Sequence, residues 1–403
     1  MKKTFTLIIA LVLSANLAPA QENSQWRGAN RDGIYQEHGL LKKWNEGGPT
    51  LLWHFDGLGE GYTSAAAAND RIYVTGMTDS TGYLYVLDLN GKLLNRKSYG
   101  LEWNANYNGS RSTVCANEGR LYVFSGRGVL SCFDEKTLNL LWKKDLLNEF
   151  DGKNLKFGMT ESPLIVGNAI YATPGGEKNN VVALDRKTGE LLWSSQGTGR
   201  PSTYCSPQYA GNRDFQLIVT AIDSAIVGLD ARSGTVLWTV DQKNPHGMNP
   251  NTPIYADGKI FSTTGGGIGS VLLEITDGGK GVKKVWTNEM DNKLGGAVKF
   301  GDYVFGSGER NKYWYCIEWN TGKVVYRDNK LGSGNIIAAD GMLYCYTDRG
   351  EMALINPSPD KFDIVSKFSV KLGTNQHWAH PIIYKGVLYI RHGDSLMAYK
   401  IKN

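Results

Sequence analysis

The sequence predicts an all-β protein, an eight-bladed β-propeller of four-stranded antiparallel blades. The first observation is a repeated apolar run that ends in Trp: 51, 45 and 48 residues separate Trp142, Trp193, Trp238 and Trp286 in turn. The second is the spread of 49 glycines along the 403 residues, at turn-like positions between short apolar runs. The third is the period, because eight units fit between residues 49 and 401 at about 44 residues each, as expected of four-stranded blades.

Two copies show all parts of the repeat. Residues 162–193 and 206–238 each contain three strands, an Asp-x-x-Thr/Ser-Gly turn and a fourth strand that ends in Trp. We expect the Asp to accept hydrogen bonds from its own turn, the Gly to adopt a positive φ, and the Trp to pack one blade on the next. The predicted blade residues are Trp53, Asp134, Trp142, Asp185, Gly189, Trp193, Asp230, Gly234, Trp238 and Trp286.

The two ends of the repeat region complement each other. The last unit, residues 380–401, supplies only three strands, and residues 49–55 form a lone strand with the blade-ending Leu-Leu-Trp. We expect this N-terminal strand to complete the last blade, because ring closure removes the exposed edges of an open sheet. Residues 49–403 then form a single domain, and residues 21–48 are an N-terminal lead segment.

The first twenty residues resemble a secretory signal peptide. Lys2 and Lys3 precede an apolar run from Thr6 to Leu13, and residues 18–20 read Ala-Pro-Ala, which predicts cleavage after Ala20. No cysteine follows the apolar run, so a lipoprotein anchor is not expected. We expect a periplasmic or secreted protein that does not span the membrane.

Charge and cysteine usage limit the partners and cofactor sites that the sequence predicts. The formal charge of +5 falls to about +3 without Lys2 and Lys3, too low and too evenly spread to indicate nucleic acid or an anionic membrane as partner. The five cysteines form no CxxC or CxxCH motif, so zinc, thioredoxin-like and c-type haem sites lack their signatures. We expect buried thiols, and one disulfide is the alternative in an oxidising compartment.

Four segments carry a resemblance to a known family. The sequences ALDRKTGELLW (183–193) and GLDARSGTVLW (228–238) resemble the tryptophan-docking repeat of PQQ-type β-propellers. QWRGANRDGIY (25–35) and ESPLIVGNAIYATPGG (161–176) are similar to exported bacterial proteins with PQQ-binding-like repeats. The resemblance implies either a quinoprotein dehydrogenase, with PQQ and calcium, or a BamB-type assembly propeller without a cofactor. The chain lacks the adjacent Cys-Cys pair of many such dehydrogenases and the lipid-attachment cysteine of the assembly protein.

Loops between blades are the expected place for a site. One set covers residues 103–111, 156–161, 199–204, 244–251 and 375–378, and loops within blades cover 126–128, 175–180, 308–314, 348–350 and 391–394. Polar donors beside aromatic rings suit a flat or anionic ligand, a sugar or a peptide. The candidate ligand-binding residues are Arg111, Glu161, Tyr204, His246, Asn251, Arg310, Arg349, His377, Trp378 and Arg391.

Several candidates have a structural alternative. His377 and His380 are three apart on a presumed strand and would point to opposite faces, so no metal pair is predicted. His246 lies among asparagines, where either a loop hydrogen-bond network or a ligand contact is consistent with the sequence. Glu161 and Arg111 begin inner strands and could pair across the channel, for a structural or a functional reason.

The sequence favours a non-catalytic, monomeric propeller that presents a binding platform to a protein or carbohydrate partner, with no metal or other cofactor. The alternative is a PQQ- and calcium-dependent dehydrogenase of alcohols or sugars, with Glu161 as the candidate catalytic base. A third reading, a polysaccharide-cleaving propeller, requires acids or bases that converge on the rim.

Overall fold

A computed structural model describes residues 24–403 of the protein, and the predicted signal peptide lies outside this range. Within it the chain forms 33 strands, one short α-helix (Leu146–Glu149) and one 3-10 helix (Asp277–Gly279). Eight antiparallel sheets follow one another along the chain. Their first strands are short and contact each other from blade to blade, which places them around a central channel. The predicted eight-bladed β-propeller is confirmed.

The four strands of each blade are ordered from the central channel outward. The bounds below follow this order, with the innermost strand first. Blades 1 and 2 contain Ala66–Ala68, Arg71–Thr78, Thr81–Asp88 and Leu93–Leu101, then Cys115–Asn117, Arg120–Phe124, Val129–Asp134 and Leu140–Asp145. Blades 3 and 4 contain Leu164–Val166, Ala169–Ala172, Val181–Asp185 and Leu191–Ser195, then Gln208–Gly211, Gln216–Ile222, Ala225–Asp230 and Val236–Asp241. Blades 5 and 6 contain Ile254–Ala256, Lys259–Thr264, Gly269–Thr276 and Gly281–Asn288, then Ala297–Phe300, Tyr303–Ser307, Trp314–Glu318 and Val324–Asp328. Blades 7 and 8 contain Gly334–Ala339, Met342–Thr347, Glu351–Asn356 and Asp363–Ser369, then Ile382–Tyr384, Val387–His392, Ser395–Lys400 and Thr50–Phe55.

The ring closes as predicted. The strand Thr50–Phe55 pairs antiparallel with Ser395–Lys400 and becomes the outermost strand of blade 8, with Trp53 opposite Ala398. The N-terminal and C-terminal parts of the domain therefore share one sheet, and the outer side of Ser395–Lys400 is paired.

A β-bulge occurs at the same place in the outer strand of every blade. In blade 3, Trp193 opposes Ala183 and Leu191 opposes Leu184, so Leu192 has no cross-strand partner. The other seven blades show the same shift. A bulge changes the direction in which side chains point. Leu191 and Leu192 remain 48% and 51% exposed, whereas Trp193 packs on the next blade.

The blade-ending Trp residues contact the turn of the following blade. Trp193 Nε1 donates to the carbonyl of Ala231 at 3.1 Å, and its ring lies against Gly234, where an added Cβ would come within 2.4 Å. Gly234 has φ +73°. Both this backbone conformation and the lack of room for a Cβ beside the indole require glycine. The same donation joins Trp53 to Leu89, Trp142 to Arg186 and Trp286 to Trp319.

Trp238 differs from these residues. Its Nε1 is buried and has no hydrogen-bond partner within residues 24–403. Blade 5, which follows it, replaces the Asp-x-x-Ser-Gly turn with a longer hairpin around the 3-10 helix at 277–279. The other blade-ending indoles donate their N–H to a carbonyl of the shorter turn. Blade 5 lacks this turn, so Trp238 has no such acceptor.

The turn acids bond to their own backbone. Asp185 Oδ1 accepts from the amides of Lys187 (2.7 Å) and Thr188 (3.0 Å). Asp230 accepts in the same way in blade 4, and Asp134 in blade 2. Gly189 has φ +75°, as that turn requires.

All five cysteines are buried free thiols.

The lead segment enters the propeller, a path that the sequence did not predict. Ser24 pairs with Ala116 on the inner strand of blade 2, and Ile34 pairs in parallel with Ala338 on the inner strand of blade 7. The residues between these two contacts therefore cross the central channel. They close it from within and bring two arginines, Arg27 and Arg31, into the interior.

Candidate functional site

One cavity of about 290 Å³ lies where all five predicted inter-blade loops meet. Its volume is close to the lower end of small-molecule pockets, roughly 300 Å³. The lining residues are Trp26, Tyr62, Tyr107, Arg111, Phe157, Thr160, Ser162, Tyr204, Ser206, Met248, Pro250, Lys293, Leu294, Trp378 and His380. The predicted candidates Arg111, Tyr204 and Trp378 thus come together in one place.

Aromatic rings form a continuous wall of this cavity, which we call the aromatic arc: Tyr62, Trp378, Tyr107, Phe157 and Tyr204. The ring centroids of Trp378 lie 5.0 Å from those of both Tyr62 and Tyr107. Tyr107 continues to Phe157 at 5.9 Å, and Phe157 to Tyr204 at 6.2 Å. Successive rings are tilted by 39° to 58°, so the arc is curved rather than flat. Tyr107 is 47% exposed, which leaves the arc open to solvent.

The lead segment supplies the floor of the cavity. Trp26 Nε1 donates to Thr252 Oγ1 at 2.9 Å, and the indole ring contacts the imidazole of His380 at 4.6 Å between centroids. Arg31 lies beneath, where it donates to the carbonyls of Ser162 (2.7 Å) and Pro163 (3.1 Å). The floor therefore depends on residues that precede the first blade.

Arg27 holds His380 in one protonation state. Arg27 Nη1 donates to His380 Nδ1 at 3.1 Å, and His380 Nε2 lies 3.0 Å from the carbonyl oxygen of Leu294. Nδ1 must accept and Nε2 must donate, so the ring is the neutral Nε2–H tautomer. Burial, and then the charge of Arg27, lowers the pKa of His380 to about 3. Arg27 itself also donates to the carbonyl of Ala297 at 2.5 Å.

Arg111 places a positive charge in the cavity wall. Its Nη2 donates to the carbonyls of Asn106 (2.8 Å) and Tyr107, and its Nε has no partner within residues 24–403. Burial lowers the pKa of Arg111, and the Glu102 carboxylate opposes this effect. The second cation of the lining is Lys293, which pairs with Glu309 at 2.9 Å.

Glu161 does not line the cavity, although its neighbours Thr160 and Ser162 do. It is 2% exposed, and its Oε2 accepts from the amide of Thr173 at 3.0 Å. Burial raises the pKa of Glu161 to about 8, and the cation that opposes the shift is Arg31, not Arg111. The structure therefore does not form the cross-channel Glu161–Arg111 pair considered in the sequence.

Four other candidates lie outside the cavity lining. His246 is exposed in a turn that Asn244 stabilises, and Arg310 and Arg349 are exposed on other loops. Asn251 is buried and satisfied: its amide nitrogen donates to the carbonyls of Thr263 and Asn292, and its oxygen accepts from Gly296. These residues hold loops in place or face solvent.

The last two candidates lie at blade 8. His377 stacks on His392 at 3.6 Å between centroids, and its Nδ1 lies 2.5 Å from the Tyr346 hydroxyl. It lines a second cavity, of about 210 Å³, that shares Lys293, Leu294 and Trp378 with the first. Burial, and then His392, lowers the pKa of His377 to about 4. Arg391 is 1% exposed and donates to the carbonyls of Thr75 and Gly393, so it joins blades rather than facing the rim.

Sequence reasoning missed several residues of the site. Tyr107 and Phe157 lie within the predicted loops 103–111 and 156–161 but are not among the candidate residues. Their signal was available: an aromatic residue in an inter-blade loop has no role in the repeat. Tyr62 lies just before blade 1, and Trp26 in the lead segment, where no repeat position predicts contact with the channel.

The cavity does not fit the PQQ and calcium pair that the resemblance to quinoprotein dehydrogenases implies. Calcium prefers several carboxylate and carbonyl oxygens. The lining contains no Asp or Glu side chain, and no group of three or more His, Cys, Asp or Glu residues within 24–403 could hold a metal ion. Glu161, the candidate base, is turned away from the cavity and bonded to Thr173.

Comparisons with known proteins agree with the fold. A family model described as outer membrane protein assembly factor BamB matches residues 80–325. The BamB protein of Shewanella oneidensis is 22% identical over 304 residues, 70% of this chain and 71% of that protein. A lanthanide-dependent methanol dehydrogenase of Methylorubrum extorquens is 28% identical over 214 residues, 45% of this chain, but the match spans only 34% of the dehydrogenase.

A solved structure of BamB from Moraxella catarrhalis superposes with a TM-score of 0.64 at 16% identity, over 87% of this chain and 99% of that one. At this identity the likeness shows the fold alone. The family model, in contrast, covers more than half of the sequence. The chain therefore belongs to the PQQ-like β-propeller family whose model is described as outer membrane protein assembly factor BamB.

Proposed function

We propose that the protein is an exported, non-catalytic propeller that binds a protein or carbohydrate partner in the cell envelope. The observation that carries this proposal is the aromatic arc, where loops from several blades present adjacent rings to solvent. Exposed aromatic side chains in a concave site are typical of binding surfaces, because they bury a large apolar area on contact. The open arc is therefore the face to which we assign the partner.

Two kinds of partner are supported by different observations. The names of the BamB relatives describe an assembly factor, which favours a protein partner. The cavity, with tyrosine rings beside Thr160, Ser162 and Ser206, favours a carbohydrate. We place the protein in the cell envelope because residues 1–20 resemble a signal peptide. No helix within residues 24–403 has the length and apolarity needed to cross a bilayer.

Binding measurements on residues 21–403 test the proposal. We expect the protein to retain a ligand from a panel of bacterial and plant cell-wall glycans, or a purified envelope protein, and Trp378→Ala to weaken that binding at least about ten-fold. Arg349→Ala is the matched control, since Arg349 is exposed but outside the cavity lining. Equal loss in both variants, or no loss in Trp378→Ala, would contradict the assignment of the face.

The dehydrogenase alternative has its own discriminating experiment. PQQ is added to the mature protein with and without calcium, and thermal stability and quinone absorbance are recorded. We expect no stabilisation and no bound quinone, because the lining lacks carboxylate ligands. Calcium-dependent binding, with turnover of an alcohol or sugar, would overturn the non-catalytic proposal.

A further inference from the structure

We propose that the cavity binds a uronic acid residue of an acidic glycan, with the sugar carboxylate on Arg111 and the ring against the aromatic arc. This inference rests on the proposed binding function and adds the chemical class of the ligand. Three features of the cavity carry it: an available cation, a lining without carboxylates, and tilted apolar walls that carry hydroxyl groups.

The first step concerns the charge of Arg111. Glu102, the carboxylate that acts on it, has its own oxygens occupied: Oε1 accepts from the amides of Trp103 (2.7 Å) and Gly126 (2.6 Å), and Oε2 from the Tyr99 hydroxyl (2.7 Å). Arg111 is therefore held by backbone carbonyls and not by a bonded carboxylate of Glu102. A guanidinium in this situation gains most from a ligand carboxylate, which supplies charge-assisted hydrogen bonds.

The second step concerns the rest of the lining. Among the fifteen lining residues, Arg111 and Lys293 are the charged side chains, and His380 is kept neutral by Arg27. A ligand with a negative charge meets no acidic group at the wall. The same wall offers a cationic ligand no carboxylate to pair with. The cavity therefore selects for anions.

The third step concerns the body of the ligand. A flat aromatic acid is best held between parallel rings, but successive rings of the arc are tilted by 39° to 58°. A curved wall fits a puckered ring, which offers an apolar C–H face to one side and hydroxyl groups at its edge. Tyr62, Tyr107 and Tyr204 provide rings that also carry hydroxyls, and Ser162 and Ser206 line the same cavity. A pyranose with a carboxylate satisfies both the apolar and the polar parts.

The experiment compares an acidic and a neutral sugar of equal length. Residues 21–403 are titrated calorimetrically with tri-galacturonate and, separately, with its neutral methyl ester. We expect the acid to bind at least about ten-fold more tightly, as one charge-assisted contact allows. The difference should shrink at high salt, because the contact is electrostatic and open to solvent.

Three variants test whether Arg111 is responsible for the preference for the acidic sugar. Arg111→Gln should lose most of the preference for the acid, whereas Arg111→Lys, which keeps the charge, should retain part of it. Arg349→Gln, outside the lining, should change nothing. Thermal unfolding of each variant shows whether the 103–111 loop still folds, and Arg111→Lys serves as the test if Arg111→Gln does not.

The outcomes separate the two levels of the proposal. Equal affinity for acid and ester, both lost in Trp378→Ala, would overturn the uronate inference and leave the binding function intact. Binding of a purified envelope protein at the arc, with no affinity for either sugar, would also overturn the uronate inference alone. Sugar binding that Trp378→Ala does not affect would contradict the site itself.

Discussion

Arg27, in the segment before the first blade, donates a 3.1 Å hydrogen bond to His380, at the start of the last blade. The two residues are 353 positions apart, and the bond joins the lead segment to the floor of the cavity. Together with the strand Thr50–Phe55, this contact ties the beginning of the chain to its end at two places, one in the channel and one at the outer edge. The floor of the cavity therefore combines residues from the lead segment and from the start of the last blade.

The His380 contact predicts a specific pH dependence. Its pKa is about 3 in the folded protein and about 6.5 in the unfolded chain, so the unfolded state binds more protons between these values. The stability that His380 contributes is present above about pH 6.5 and is lost as pH falls toward 3. We expect His380→Gln to show a smaller decline in the free energy of unfolding between pH 7 and pH 4.5 than the unaltered protein, measured by urea titration. His246→Gln, an exposed histidine, should follow the unaltered protein; identical curves for all three would contradict the neutral His380.

Glu161 predicts the opposite slope. Its pKa is raised from 4.5 to about 8, so the folded state holds a proton that the unfolded chain has lost. This contribution to stability is present below about pH 4.5 and is lost as pH rises through 8. We expect Glu161→Gln, which keeps an acceptor for the Thr173 amide, to raise Tm by a few degrees at pH 8 and hardly at all at pH 4.5. A lower Tm at pH 8 would indicate an ionised, stabilising carboxylate instead.

Gly234→Ala tests the packing of Trp193 on the next blade. The added Cβ would lie 2.4 Å from the indole ring at a φ of +73°. Gly258→Ala is a matched control, since Gly258 has φ +71° with no atom within 4 Å of an added Cβ. We expect Gly258→Ala to cost about 1 kcal/mol from the backbone alone and Gly234→Ala about 1–3 kcal/mol more, in urea unfolding. Equal costs would mean that the indole moves aside freely.

Trp238 and Trp193 form a second matched pair. The indole N–H of Trp193 bonds to Ala231, whereas that of Trp238 has no partner within the described chain. Replacement by Phe removes the same volume at both positions but a hydrogen bond at only one. We expect Trp193→Phe to lower the free energy of unfolding by about 1 kcal/mol more than Trp238→Phe. The reverse order would show that the longer hairpin of blade 5 bonds to Trp238 in solution.

The parts that sequence predicted are those fixed by local chemistry. Asp185, Gly189 and Trp193 lie within nine positions of each other, and each recurs with the repeat, so turn geometry and period suffice to place them. The floor of the site is different, because Arg27 bonds to the carbonyls of Gly295 and Ile336, which no local pattern connects to it. The loops were predicted to meet, but which side chains meet there depends on loop conformations that do not repeat.

The face assigned to the partner is tested most directly by site-specific photo-crosslinking in cells that export the protein. A benzophenone side chain is placed at Tyr107, on the aromatic arc, or at Leu192, which is exposed on the outer strand of blade 3. Our account predicts a discrete crosslinked product from position 107 that disappears with Trp378→Ala, and none from position 192. Crosslinking from position 192 alone would contradict the central claim that the partner binds at the cavity.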